Sequence, residues 1–173
     1  MLIGIATFYD NVSNNGQLSK MTNILPALGV SLHSSSRPSH VFMIKQAVPF
    51  GSGSITNANN LIGLRDGKFA NIRGTAANAG GQIVGTMDRP VRGDIWIYAR
   101  SVSTNTHLYT YASFNFNTWT QTSVQTVFSS GSAQWIHCGA STNMDVVYLG
   151  LAAINDNGNQ ANIDIDMAII IPI

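Results

Sequence analysis

A two-residue alternation runs through Gly93-Asp94-Ile95-Trp96-Ile97-Tyr98-Ala99-Arg100-Ser101. Ile95, Ile97 and Ala99 would point to one side of this segment and Trp96, Tyr98 and Arg100 to the other, because successive side chains of a β-strand alternate. β-Branched and aromatic residues also suit a pleated sheet. The stretch therefore predicts a strand with one side in the core. Its second side faces either another layer or a ligand.

Further segments rich in apolar and β-branched residues recur along the rest of the chain. Turn dipeptides such as Asp66-Gly67 and Gly80-Gly81 separate them. The predicted strands are His40–Ala47, Asn60–Leu64, Lys68–Arg73, Gly81–Met87, Asp94–Ser101, His107–Phe116, Thr122–Phe128, Gln134–Cys138, Val146–Ile154 and Asn162–Ile171. Short strands at this spacing, without helices long enough for crossovers, predict an all-β antiparallel sandwich with an N-terminal arm.

Turn residues predict how some of these strands connect. Pro49 and the turn at residues 51–54 end the first strand, and Asn155-Asp156-Asn157-Gly158 predicts a hairpin, because Asn-Gly readily adopts a primed turn. If segments 94–101 and 107–114 form a hairpin around Thr104-Asn105, then Trp96, Tyr98, Tyr109 and Tyr111 lie on neighbouring strands, and the register decides whether they share a face. In the last strand, Ile163, Ile165, Met167 and Ile169 are predicted to face inward, with Asn162, Asp164 and Asp166 facing outward.

The chain divides into an N-terminal part, residues 1–50, and a sandwich, residues 51–173. The first part is predicted to be an arm and irregular segment packed on the domain or extending from it. Its apolar side chains are candidates for an interface with a particle shell or a sister subunit: Leu2, Ile3, Ile5, Phe8, Ile24, Leu25 and Leu28. With 173 residues, a single domain is expected.

Composition excludes several classes of function. Charged residues are 10% of the chain and the net charge is +1, which argues against a nucleic-acid-binding protein. The opening residues resemble neither a signal peptide nor a transmembrane span, so we expect synthesis in a cytoplasm without an export signal and no membrane partner. The single cysteine, Cys138, is predicted to be a buried small residue rather than a reactive thiol.

The order of features from Asn60 onward resembles the jelly-roll carbohydrate-binding-module-like domains, which are β-sandwich relatives of galactose-binding folds. The resemblance lies in the run from Asn60 to Ile62, in the strand from Ile95 to Ser101, and in Trp119 followed by a Thr-rich segment. It continues through Trp135, Val147–Leu151 and Ile163–Asp166, and covers about two-thirds of the chain. The resemblance implies a β-sandwich that either binds carbohydrate or serves as an adhesive or decorating module of a phage particle.

Two groups of side chains are candidate sites. Aromatic rings can stack on the apolar faces of sugars, and nearby polar groups can bond the hydroxyls. The ligand candidates are Trp96, Tyr98, Arg100, Tyr109, Tyr111 and Trp119, and the alternative is that these residues only pack between layers or subunits. By the resemblance, Asp164 and Asp166 lie where related jelly rolls hold calcium, although two carboxylates supply few of the six to eight oxygens that the ion needs.

Catalysis finds no support, because the acidic residues are scattered and the four histidines lack metal-ligand spacing. We therefore expect a non-enzymatic protein without a cofactor. The leading hypothesis is a virion structural protein, such as a capsid decoration, head-fibre or tail-associated protein. It would dock on the major capsid protein or another virion protein and form a homo-oligomer, with a trimer favoured. The alternative is a carbohydrate-binding module that recognises host glycans or polysaccharide.

Overall fold

The computed structural model describes residues 41–51, 53–63, 65–75, 80–103, 106–127, 132–155 and 160–173. The predicted interface residues between Leu2 and Leu28 lie outside this part of the chain. The described strands are β1 (Phe42–Phe50), β2 (Ser54–Thr56), β3 (Ala70–Arg73), β4 (Gly81–Ser101), β5 (Thr106–Ser113), β6 (Thr120–Val127), β7 (Gln134–Ile154) and β8 (Asn162–Pro172). No helical segment of the described residues is long and apolar enough to cross a bilayer.

The strands follow the order β2-β3-β8-β1-β4-β7-β5-β6, and every pairing is antiparallel. The two 21-residue strands, β4 and β7, contribute to both layers of the sandwich. Residues 81–86 of β4 and 148–154 of β7 form the first layer with β1, β5 and β6. Residues 93–101 of β4 and 134–141 of β7 form the second layer with β2, β3 and β8. The all-β antiparallel fold is as predicted.

A single apolar cluster fills the space between the layers. Ile83, Leu108 and Leu151 come from the first layer, Ile95 and Ile97 come from the second, and all five are fully buried. Removing this apolar surface from water is the main driving force that holds the layers together. The prediction that Ile95, Ile97 and Ala99 face the core is confirmed, since Ala99 is fully buried in the same cluster.

The long strands correct the sequence prediction at two places. Gly81–Met87 and Asp94–Ser101 are two ends of β4, and Gln134–Cys138 and Val146–Ile154 are two ends of β7. Between the ends of β4 the pairing shifts register at several points, so the strand bends where a break was predicted. Gly93 lets the backbone of β8 approach β4 closely at this point, because a Cβ there would lie 2.0 Å from the carbonyl oxygen of Ile171.

Neither predicted hairpin forms among the described strands. β4 pairs with β1, β7 and β8, whereas β5 lies between β7 and β6. β7 and β8 also have no pairing in the part of the chain that the structure describes. Both connections instead carry the chain from one layer to the other. A turn sequence favours a local reversal, but it does not determine which strand becomes the neighbour.

Smaller corrections concern the start of the sandwich. The predicted strand Asn60–Leu64 is wrong, because a 3₁₀ turn occupies Ala58–Leu61 and follows Asn57 in the left-handed conformation at φ 55°. β1 continues through Pro49, where a proline is tolerated because β1 pairs with β8 only at Phe42 and Met43. β1 also places residues 42–50 in the first layer of the sandwich, whereas the predicted arm extends to residue 50.

A bulge at Asp166 changes the direction of the side chains along β8. The pairing with β4 shifts register between Tyr98 and Ala99, which leaves Asp166 as the extra residue. Ile163 and Ile165 belong to the core as predicted. Beyond the bulge the core residues are Ala168 and Ile170. Met167 and Ile169 are buried as predicted, at 0% and 1% exposed, but they lie outside this cluster, on the other side of β8 with their partners Tyr98 and Trp96.

Candidate functional site

The six predicted ligand residues do not form one surface. Trp96, Tyr98 and Arg100 lie on the outer side of the second layer, because their neighbours Ile95, Ile97 and Ala99 occupy the core. The other three belong to the first layer: Tyr109 and Tyr111 on β5, and Trp119 just before β6. A hairpin of residues 94–101 and 107–114 would have put Trp96, Tyr98, Tyr109 and Tyr111 on neighbouring strands, but β4 and β5 do not pair.

On the second layer, aromatic rings pair across β4 and β7. Trp96 lies opposite His137 with ring centroids 4.7 Å apart, and Tyr98 lies opposite Trp135 at 5.3 Å. The guanidinium carbon of Arg65 is 4.2 Å from the Tyr98 ring centroid and covers that ring in a cation–π contact. The rings of this face are therefore largely engaged with one another and with Arg65.

Arg100 is held at the edge of the same face. Its Nε and Nη2 donate to Oδ2 of Asp164 at 3.0 and 2.9 Å, and its guanidinium lies 4.6 Å from the centroid of the Phe69 ring. Oδ1 of Asp164 accepts from Nδ2 of Asn71 at 2.9 Å. Both oxygens of this candidate calcium ligand thus already accept protein hydrogen bonds.

Asp166, the second candidate calcium ligand, is buried rather than outward-facing, with its side chain 1% exposed. Its two oxygens accept the backbone N–H groups of Asp66 and Gly67 at 3.3 and 3.2 Å, and Nε of Arg65 is 3.9 Å away. Burial raises the pKa of the carboxyl, with Asp66 adding to the effect. Within the described residues, no three His, Cys, Asp or Glu side chains form a group suited to a metal ion.

The outer side of the first layer contains a cleft, which we call the aromatic cleft. It has a volume of about 170 Å³ and is lined by Phe50, Gln82, Val84, Tyr111, Trp119, Gly150, Leu151 and Ala152. Cross-strand register explains its position. One row of directly opposed residues contains Phe50, Gln82, Ala152 and Tyr109, and the next contains Val48, Val84, Gly150 and Tyr111. The small residues on β7 leave a low floor between larger flanking side chains.

The loop at residues 114–119 carries Trp119 to the wall of this cleft. Oδ1 of Asn115 accepts the backbone N–H groups of Asn117 and Thr118, both at 3.0 Å, and Oγ of Ser113 accepts that of Phe116 at 3.0 Å. These local bonds are typical of Asn and Ser in tight turns. The indole Nε1 of Trp119 then donates to the carbonyl oxygen of Phe116 at 2.9 Å, which fixes the ring relative to the loop.

Phe116 is at the centre of an aromatic cluster beside the cleft. Its ring centroid lies 5.8 Å from that of Phe50, 5.6 Å from that of Trp119 and 5.2 Å from that of Tyr148. All three contacts are edge-to-face, which is a favoured geometry for aromatic pairs. Phe116 itself adopts φ 67°, in the left-handed region that is uncommon for residues other than glycine.

Sequence reasoning found Tyr111 and Trp119 but missed most of the cleft. The missed residues are Phe50, Gln82, Phe116, Tyr148 and Gly150. The closely spaced aromatic residues of Phe114-Asn115-Phe116-Asn117-Thr118-Trp119 were the available signal for the loop. The floor of the cleft could not be predicted, because a glycine in a strand does not indicate which aromatic rings pack beside it.

Polar groups in the aromatic cleft are few and uncharged. The lining offers the side-chain amide of Gln82 and the hydroxyl of Tyr111. Burial raises the pKa of Tyr111 above 10.0, and the neighbouring Tyr109 adds to this, so the hydroxyl stays protonated at neutral pH. A mostly apolar concavity with a small number of polar groups is the usual form of a small-ligand site.

No protein-family model matches the chain, and no curated protein matches it. Solved structures do match it, and they define the class of fold: the β-sandwich of carbohydrate-binding modules. The family 32 module of AlyQ, in complex with 4,5-unsaturated mannuronic acid, superimposes with a TM-score of 0.54 at 11% identity. The match covers 76% of this chain and 97% of that one.

Two modules from Clostridium perfringens share the fold to a similar degree. The family 32 module of NanJ, in complex with galactose, has a TM-score of 0.52 and 14% identity, with 76% of this chain and 98% of that chain covered. CpGH89CBM32-5, in complex with GalNAc-β-1,3-galactose, has a TM-score of 0.52 and 15% identity, with 73% and 94% covered. At these identities the likeness concerns the fold, as the resemblance in the sequence predicted.

Proposed function

We propose that this protein is a non-catalytic carbohydrate-binding module whose glycan site is the aromatic cleft. The observation that carries the proposal is the cleft itself, in which rings stand on both sides of a floor made by Gly150 and Ala152. Sugar rings present a C–H face that packs against aromatic rings and an edge of hydroxyls that needs hydrogen-bond partners. The cleft offers both kinds of contact.

Each lining side chain has a role in this proposal. Trp119 and Tyr111 provide ring surface on one wall, and Phe50 provides it on the other. The amide of Gln82 offers a donor and an acceptor, and the protonated hydroxyl of Tyr111 offers both functions in one group. Because the binding groups are uncharged, affinity should depend little on salt.

The fold supports the proposal by analogy. The proteins that share it were solved with galactose, with GalNAc-β-1,3-galactose and with an unsaturated mannuronic acid. A shared fold alone does not assign a ligand, so the argument rests on the cleft. Tyr109, Trp96, Tyr98 and Arg100 belong to the earlier ligand prediction but do not line the cleft.

Four aspartates of the described residues are held in ion pairs away from the aromatic cleft. Asp164, Asp166, Asp145 and Asp94 are paired with Arg100, Arg65, Arg92 and His137 respectively. Carboxylates of this kind do not line the aromatic cleft. The virion role, the capsid partner, the trimer and the virion location stay predictions from the sequence, because no comparison bears on them.

The test is a glycan array followed by titration calorimetry with the best ligand. Trp119→Ala should weaken binding at least tenfold, whereas the matched control Trp96→Ala, on the second layer, should change the dissociation constant less than twofold. Circular dichroism checks that both variants stay folded. An array without any hit overturns the proposed function. Loss of binding in Trp96→Ala alone overturns the choice of cleft.

A further inference from the structure

Phe116 does not line the aromatic cleft, but its ring contacts two residues that do. Its ring contacts the rings of Phe50 and Trp119, which stand on the two opposite walls. Those walls belong to distant parts of the first layer, because β4, β7 and β5 lie between β1 and β6. Phe116 is therefore a single ring that touches both sides of the cleft.

The register of β7 places Phe116 at one end of the cleft. Tyr148 precedes the floor residue Gly150 by two positions, so both lie on the same side of the strand. Phe116 packs on Tyr148 with ring centroids 5.2 Å apart. The floor thus ends at Tyr148, and Phe116 stands over that end between the two walls.

The backbone at Phe116 is held in a conformation that costs free energy. A non-glycine residue at φ 67° is disfavoured, and such residues persist where the surroundings hold them. Here the surroundings are the bond from the Phe116 N–H to Oγ of Ser113 and the three ring contacts. The carbonyl of the same residue accepts the indole N–H of Trp119.

We infer that Phe116 is a positioning residue, whose ring sets the spacing of the Phe50 and Trp119 walls and holds Trp119 ready for a sugar ring. This inference rests on the proposed function. A wall that is ordered before binding loses less side-chain entropy when the ligand arrives, so affinity rises without a new contact. Removal of the ring should loosen Trp119 and also admit bulkier glycans.

The decisive variant is Phe116→Gly. Glycine readily adopts φ 67° and keeps the carbonyl that accepts the Trp119 N–H, so the change removes the ring and little else. Phe116→Tyr keeps the ring and is the conservative variant. The matched control is Phe114→Gly in the same loop, because Phe114 is 55% exposed and has no ring contact among those described.

Two measurements are made on the 173-residue chain. In calorimetry with the best array ligand, Phe116→Gly should weaken binding about tenfold, while Phe116→Tyr and Phe114→Gly should stay within about twofold. In ¹⁹F NMR of fluorotryptophan-labelled protein, Phe116→Gly should shift or broaden the Trp119 resonance and leave those of Trp96 and Trp135 in place. Trp119→Phe assigns that resonance.

The outcomes separate this inference from the proposed function. If the wild type binds a glycan through Trp119 and Phe116→Gly binds it equally well, the positioning role is overturned and the proposed function survives. An unchanged Trp119 resonance in a weakened variant also overturns the positioning role. If the wild type binds no glycan at all, both are overturned.

Discussion

The carboxylate of Asp166 accepts the backbone N–H of Gly67 at 3.2 Å, although ninety-nine residues separate the two in the chain. The bulge in β8 turns this carboxylate away from the solvent and towards the segment that precedes β3. Burial raises its pKa from the ordinary value of 3.8, and the carboxylate of Asp66 adds to the effect, while the two N–H donors and Arg65 act in the opposite direction.

This raised pKa predicts how stability changes with pH. A carboxyl whose pKa is higher in the folded chain binds more protons there than in the unfolded chain. Its contribution to the free energy of unfolding is therefore greatest below about pH 3.8, the ordinary pKa of an aspartate carboxyl, and declines as the pH rises through the folded pKa. The difference in unfolding free energy between wild type and Asp166→Asn should decrease over this range in urea titrations.

The control for this titration is Asp88→Asn, because Asp88 is exposed. This variant removes one carboxyl but keeps Asp166, so adding Asp166→Asn to it should again give a difference in unfolding free energy that decreases over the same range. A wild-type advantage over Asp166→Asn that increases with pH would show that the donors and Arg65 outweigh burial.

Gly150→Val should fill the floor of the aromatic cleft. A Cβ at this position would lie 3.1 Å from Cζ3 of Trp119 and 3.3 Å from Cβ of Tyr111, so the valine displaces the tryptophan ring. We expect glycan affinity to fall at least tenfold and the free energy of unfolding to fall by about 1–3 kcal/mol, the usual cost of overpacking.

The matched control is Ala140→Val, which adds two methyl groups at an exposed position of the same strand, outside the cleft. It should leave the affinity unchanged. Calorimetry and urea unfolding report the two quantities separately. Full affinity in Gly150→Val would mean that the ligand binds elsewhere.

Cys138 should be inert in the folded protein. It is fully buried, and burial raises the pKa of its thiol to about 12, so the thiolate that reacts with disulfide reagents is scarce. Reaction with Ellman's reagent at pH 8 should be at least about 100-fold slower in the native protein than in guanidinium, where the single thiol is released in full. A fast native reaction would place the thiol at the surface.

Calcium should not stabilise the protein. The oxygens of Asp164 and Asp166 already accept hydrogen bonds from Asn71, Arg100 and two backbone N–H groups, so calcium would have to displace these donors. The melting temperature should agree within about 1 °C in 5 mM calcium chloride and in EDTA, whereas an ion present at 100 times its dissociation constant adds about 2.7 kcal/mol. A rise of several degrees in calcium would support the calcium prediction.

Local alternation predicted most of the strand segments but not their neighbours. Ile95, Ile97 and Ala99 could be assigned to the core because a strand has a fixed period of two. The same reasoning assigned Met167 and Ile169 to the wrong side of β8, because a bulge at Asp166 interrupts the alternation. The amino-acid sequence around Asp166 does not indicate this bulge. Bulges form where distant strands must fit together, and adjacent residues do not encode them.

The candidate site was harder to predict for a related reason. Tyr111 and Trp119 were recognisable as aromatic residues near a strand, but the cleft also needs Phe50, which is far away in sequence. Gly150 looked like an ordinary strand glycine, and its role depends on the ring of Trp119 beside it. Such a site arises from strand order, and strand order is a property of the whole chain.

The continuity of β4 and β7 has a consequence for how the domain unfolds. Each of these strands forms backbone hydrogen bonds in both layers. Unfolding of one layer therefore disrupts a strand that the other layer also needs. Two sheets without shared strands could unfold in two separate transitions. Two layers that share strands should unfold in one transition. Amide hydrogens of Ile83 and Ile97, at opposite ends of β4, should therefore exchange through the same global opening, and a single calorimetric transition should account for both layers.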